Sequence, residues 1–185
     1  MACISKISSA ITYDCETGGT GLVSALLINK EDIASIAFDP ENTAMVRTLT
    51  LKEGTTAYKI DTVKRVLTTT EALKVNEGAP NAYTHSATVV VTAPLVNTLF
   101  KDLINPAANG SFVILTLAPG SVNPTSLCRS FGLYYGMSAT AIDRSSHDNG
   151  AWYTITMATP ERVIGEDALA VAVSVYEALY AAAVG

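Results

Sequence analysis

Along this chain several apolar runs alternate with polar residues at every second position, the period of strands, and short stretches recur near every fourth, the period of helices. The stretch Tyr83 to Gly120, "YTHSATVVVTAPLVNTLFKDLINPAANGSFVILTLAPG", holds both. Tyr83, His85, Ala87, Val89, Val91 and Ala93 fall on one face of an extended chain, and Thr84, Ser86, Thr88 and Thr92 mainly on the other, as in a half-buried strand. Pro94 suits the first turn of a helix. Leu95, Leu99 and Leu103 follow at intervals of four with Val96 and Phe100 beside them, predicting one helix over about 94–104. Asn105-Pro106 is expected to stop it, because the residue before proline avoids the helical region. "SFVILTLA" is apolar on both faces and predicts a central strand covered on both sides.

Other segments read the same way. "LVSALLI" (Leu22 to Ile28) follows the turn "TGGTG", and "IASIAF" (Ile33 to Phe38) ends at Asp39-Pro40. "MVRTLTL" (Met45 to Leu51) closes at Glu53-Gly54, then the Thr- and Val-rich "TTAYKIDTV" and "KRVLTTTEALKV" run to the loop "NEGAPN". "CRSFGLYYGMSATAIDRS" and "AWYTITMAT" flank "HDNG", in which Asn149-Gly150 is a strong hairpin signal because both central residues of a type I′ turn need positive φ. This predicts an antiparallel hairpin with its tip at 146–150, Tyr134 and Tyr135 facing opposite ways in one strand, and Trp152 and Tyr153 doing so in its partner. In the last segment, Leu169 to Val175 alternates Val with Ala and Ser as a strand would, whereas "YEALYAAAV" suits a short helix. No internal repeat or long linker interrupts the order. The expected fold is mainly β (α+β): an antiparallel β-sandwich or partly closed barrel with one flanking α-helix, built as a single β-rich domain over 1–185. Residues 159–185 are expected to serve as an extended C-terminal arm contacting neighbouring subunits.

Composition sharpens this picture. Hydrophobic residues make up 49% of the chain and charged residues only 16%, against about 25% in ordinary soluble domains, so little charge is left to cover a surface. Burial of part of that surface against other subunits would explain the deficit. The net charge is −5 and Lys and Arg are not clustered, which argues against tight wrapping of nucleic acid. The start, "MACISKISSAITYDC", lacks the apolar run of a secretion signal, so folding in the cytoplasm is expected. The tail "ALAVAVSVYEALYAAAVG" is too short for a membrane helix and is interrupted by Glu177. Uncovered on a monomer it would aggregate. Two burials are open: the protein's own core, or an interface between subunits formed by Val171, Val173, Val175, Tyr176, Leu179 and Tyr180.

Candidate chemistry is sparse. His85 lies on the more apolar strand face, as a hydrogen-bonded core histidine, and His147 sits beside Asp148 at the predicted hairpin tip, where solvent surrounds it. A triad of His147, Asp143 and a serine would lack a nucleophile elbow. "DCETGGTG" resembles a phosphate loop without its Gly-Lys-Ser/Thr, and "DPEN" and "DRSSHDN" lack calcium-loop spacing. Glu161, Glu166 and Asp167 in "TPERVIGEDA" carry no other sign of a sugar cleft. Cys3, Cys15 and Cys128 show no zinc spacing; they are read as inert thiols, with a Cys3–Cys15 disulfide the alternative. The abundant tyrosines serve either cross-strand packing or a binding surface. No catalytic residue, cofactor or metal is expected, and the chain is read as no enzyme.

Three segments together, "ITYDCETGGTGLVSALLINKEDIASIAFD", "YTHSATVVVTAPLVNTLFKDLI" and "FGLYYGMSATAIDR…GAWYTITMATPE", resemble in element order the tail-tube and connector-ring virion proteins of tailed bacteriophages, as in phages of Bacteroides-like hosts. The aliphatic tail departs from the end of such a subunit. The resemblance implies a sandwich with a flanking helix, joined edge to edge into a homo-oligomeric ring, with loops and termini clasping neighbours. It implies other tail or connector proteins as partners, DNA only as passing cargo, no membrane, and a place in the virion after synthesis in the host cytoplasm. An alternative from the residues alone is a carbohydrate- or adhesin-type binding module using Tyr134, Tyr135 and Trp152.

Overall fold

A computed structural model describes residues 24–60, 66–91, 100–117, 128–144, 152–161, 165–167 and 169–185. Among these residues eleven strands form two sheets: β1 (Ser24–Asn29), β2 (Ile33–Phe38), β3 (Met45–Leu51), β4 (Tyr58–Ile60), β5 (Leu67–Lys74), β6 (Ala82–Val91), β7 (Phe112–Leu117), β8 (Cys128–Phe131), β9 (Ser138–Arg144), β10 (Tyr153–Ala158) and β11 (Leu169–Val171). The larger sheet runs β2-β3-β11-β8-β7-β1-β4 and the smaller β5-β6-β10-β9. Neighbours are antiparallel except β11 beside β3, which is parallel. Helix α1 spans Asn105–Asn109 and helix α2 spans Val173–Ala182.

The alternation of the central strands explains the layering. In β1, Ala25 and Leu27 face the smaller sheet, while Leu26 and Ile28 face the other way. In β7, Phe112 and Ile114 point with the first pair, Val113 and Leu115 with the second. One core therefore lies between the sheets, where Val89, Val91, Ile155 and Met157 of the smaller sheet meet them. A second core lies on the outer face of the larger sheet beneath α2, around Val46, Leu49, Val171 and Tyr176. Each large aliphatic side chain so buried contributes about 1.5–3 kcal/mol. The unbroken apolar run of β7 follows from being covered on both faces, as its sequence predicts. The molecule is a mainly β sandwich with a helix against one face.

The segment expected to form the flanking helix behaves differently. Positions 94–99 lie outside the described residues. Phe100–Ile104 form a π-helical turn that leads into α1, so the helix does not stop at Asn105-Pro106. Pro106 occupies the first turn of α1, where a missing N–H costs nothing, and the turn closes with the Gly110 N–H donating to Pro106 O at 2.8 Å. Leu103, Ile104 and Ala107 pack into the inter-sheet core. The helix that lies on the larger sheet's outer face is α2.

The segment Cys128 to Arg144 is not one strand. It forms β8 in the larger sheet, turns at 132–136, and re-emerges as β9 in the smaller. β9 and β10 pair antiparallel from Tyr153↔Arg144 to Ala158↔Ser138, as the hairpin reading requires. The proposed tip lies outside the described residues.

The C-terminal segment folds back on its own chain. β11 inserts between β3 and β8, and the strand ends at Val171, so Val173 and Val175 are helical. Beyond α2, the Lys59 N–H donates to Val184 O at 2.9 Å and the Val184 N–H to Ala57 O at 3.0 Å, which covers the outer edge of β4. Of the six residues expected at a subunit interface, Val171 and Tyr176 are buried in the chain's own core, 0% and 1% exposed. Val173, Val175, Leu179 and Tyr180 are half-buried on α2.

Candidate functional site

Among the described residues, a group of ionisable side chains gathers around the turn 132–136. His85, on the inward face of β6, is 1% exposed and meets the Phe131 ring edge-on at 5.5 Å. Its Nδ1 accepts the Gly132 N–H at 3.1 Å, so in the neutral imidazole the proton sits on Nε2. Nε2 faces Glu71 Oε1 of β5 at 3.8 Å, beyond hydrogen-bond length, and both atoms are buried without a hydrogen-bond partner. The other Glu71 oxygen accepts from Arg129 Nη1 at 2.6 Å.

Glu166 comes from the segment after β10. Its backbone pairs with Tyr83 through two 2.8 Å hydrogen bonds. Its carboxylate, fully enclosed, accepts the Tyr135 N–H at 2.9 Å and the Tyr134 N–H at 3.3 Å, a backbone nest for an anion. Glu166 Oε2 also lies 3.5 Å from His85 Nδ1. Lys30 donates to Leu133 O at 2.6 Å; burial pushes its ammonium below the usual lysine range, and the charge of Glu166 opposes that shift.

Four successive residues are thus pinned by three side chains: Gly132 by His85, Leu133 by Lys30, Tyr134 and Tyr135 by Glu166. Gly132 has φ +74°, and a Cβ there would lie 2.8 Å from Met137 Cγ and 3.0 Å from the Met137 nitrogen, so only glycine fits. The pinning carries Tyr134 and Tyr135 outward, 40% and 43% exposed, in a turn rather than on opposite faces of a strand. Tyr134 stacks on Phe38 at 6.0 Å, and its phenol is raised by burial and by the charges of Asp167 and Glu166. This arrangement sets an imidazole between two carboxylates, 3.5 and 3.8 Å from its two nitrogens, beneath the turn.

A second feature is a groove of about 680 Å³ between β3 and α2. Leu49 and Leu51 form its floor, Val175 and Leu179 its wall, and Arg47 and Lys52 are its cations. Arg47 is itself 3.6 Å from Asp39.

Other residues singled out by sequence are dispersed. His147 and Asp148 lie outside the described residues, as do Cys3 and Cys15; Asp143 is exposed near the end of β9. Glu161 and Asp167 are exposed while Glu166 is buried, so these three share no environment. Trp152 is half-buried. Cys128 is a buried free thiol, pushed up to about 12 by burial. Among the described residues no three His, Cys, Asp or Glu side chains converge on a metal position, and no helix is long and apolar enough to cross a membrane. The sequence pattern places His85 in the core and singles out Glu166 only as a possible sugar-cleft carboxylate; it shows neither Glu71 nor the turn. The visible signal was "GLYYG", two glycines bracketing the turn. No family model, curated protein or solved structure matches the chain.

Proposed function

We propose that this chain is a non-enzymatic structural subunit of a virion, a tail-tube or connector-ring protein that assembles with copies of itself into a ring around passing DNA. The observation that carries the reading is the treatment of strand edges. The edge of β4 is covered by Val184, whereas β2, β5 and β9 end their sheets among the described residues. At the end of β5, Leu73 is 62% and Val75 72% exposed. Open edges beside exposed apolar side chains invite strand pairing, and closed symmetry keeps such pairing finite. The low charge content of the chain favours the same reading, and so does the buried ionisable cluster, whose groups hold a loop. An acidic wall, at net charge −5, repels phosphate and lets DNA pass.

Electron microscopy of the purified protein, with light scattering for mass, tests this. Closed rings are expected. A particle that stays monomeric at high concentration and takes no ordered position in any virion refutes it. The adjacent exposed Tyr134 and Tyr135 favour a second reading, a glycan-binding module. Specific binding on a glycan array, abolished by Tyr134→Ala with Tyr135→Ala, would select that reading instead.

A further inference from the structure

We propose that His85 is a proton-operated latch on the turn 132–136, and that its protonation loosens the loop that presents Tyr134 and Tyr135. In the neutral ring, the Nδ1 lone pair holds the Gly132 N–H at 3.1 Å. A proton on Nδ1 abolishes that acceptor and sets two N–H groups against each other. The charged ring then has two carboxylates at hand, Glu166 Oε2 at 3.5 Å from Nδ1 and Glu71 Oε1 at 3.8 Å from Nε2. Small rotations bring both to hydrogen-bond length and satisfy the two buried atoms that lack partners in the neutral form.

The charged groups around the ring suit a proton that comes and goes. Glu71 reaches it from β5, with Arg129 of β8 on the far oxygen, and Glu166 reaches it from the segment after β10. Lys30 enters the same loop through Leu133 O. Two carboxylates and two cations balance around a neutral ring, and an added proton is met first by the carboxylates. The loop bears the consequence. Gly132 loses its acceptor, and Glu166 Oε2, which also holds the Tyr134 N–H, is shared with the imidazolium. Imidazole is the side chain whose charge ordinarily changes between pH 5 and 8, so acidification is the trigger. The device works in a monomer or a ring.

Hydrogen–deuterium exchange of the full chain from pH 8 to pH 5, corrected for the intrinsic pH dependence of exchange, reads the latch in the peptide covering 131–137. Protection there is expected to fall about tenfold on acidification, the ratio carried by one ordinary hydrogen bond. In His85→Gln, whose amide oxygen can accept the Gly132 N–H but takes up no proton, protection is expected to be independent of pH; this also separates His85 from His147. In Glu71→Gln the midpoint is expected to move to lower pH, because the carboxylate that receives Nε2–H is gone. Protection in 131–137 that is unchanged between pH 8 and 5 overturns the proposal. So does a pH response that persists in His85→Gln, or a midpoint that Glu71→Gln leaves in place.

Discussion

Tyr176 offers the most direct test of whether the C-terminal helix belongs to the chain's own core. Its side chain is 1% exposed under α2, its hydroxyl lies 2.7 Å from Ser24 Oγ, and its ring stacks on Tyr180 at 5.8 Å. Tyr176→Phe removes one hydrogen bond and leaves the Ser24 hydroxyl without this partner, a cost of about 1 kcal/mol. Tyr176→Ala also removes the ring from a packed site, and buried aromatics truncated in this way cost about 3–5 kcal/mol. In a chain of this size each kcal/mol lowers Tm by about 2–4 °C, so the alanine variant is expected to melt roughly 6–20 °C below the parent and the phenylalanine variant only a few degrees below. Thermal and urea unfolding, each repeated over a hundredfold range of protein concentration, measure it. The losses are expected to be the same at every concentration, because the ring packs on its own sheet. A Tyr176→Ala loss below about 1 kcal/mol, or one that grows on dilution, would mean that α2 is held by a neighbouring copy, and the reasoning fails.

Three further outcomes follow from the same structure. Gly132→Ala is expected to cost about 1–3 kcal/mol in urea unfolding, since it combines positive φ with a Cβ pressed on the Met137 backbone. Glu166→Ala is expected to cost about 3 kcal/mol by stripping two backbone N–H groups of their acceptor, with Glu166→Gln milder because one oxygen remains; equal losses would contradict the nest. Burial raises the Cys128 thiol from 9.0 to about 12, so the unfolded chain releases that proton first. Its contribution is complete below pH 9 and fades between pH 9 and 12; the buried Tyr176 phenol, also raised, acts in the same direction, and urea midpoints across that range should fall less steeply in Cys128→Ala.

What the sequence made legible was local periodicity. In β6, His85, Ala87, Val89 and Val91 are buried and the residues between them are half-buried, as the alternation requires; Tyr83, at the strand's outer end, is the exception at 38% exposed. "MVRTLTL" matches β3 residue for residue because both neighbours and a helix-covered face reward the pattern. The prediction failed where a tertiary partner overrode a local rule. Asn105-Pro106 predicts a stop, yet a wider turn ahead of it lets the chain re-enter a helix with proline in its first turn. The run from Cys128 to Arg144 looked continuous, but the positive φ of Gly132 redirects it from one sheet to the other. Glu166 stands in a Pro- and Gly-containing connector that reads as solvated, and only the folded chain brings it beneath the N–H groups of Tyr134 and Tyr135.

The parallel strand β11 carries an implication for how the protein comes to be. Among the described residues, the hairpin β2–β3 joins the rest of its sheet only by pairing with β11, at Ala170 and Val171. Until β11 has been made, that hairpin has no berth and β8 has an open flank. The strand that follows all the others in chain order therefore acts as a keystone: the arch cannot close before it is laid, and a polypeptide cut short of it is left with a split, aggregation-prone sheet.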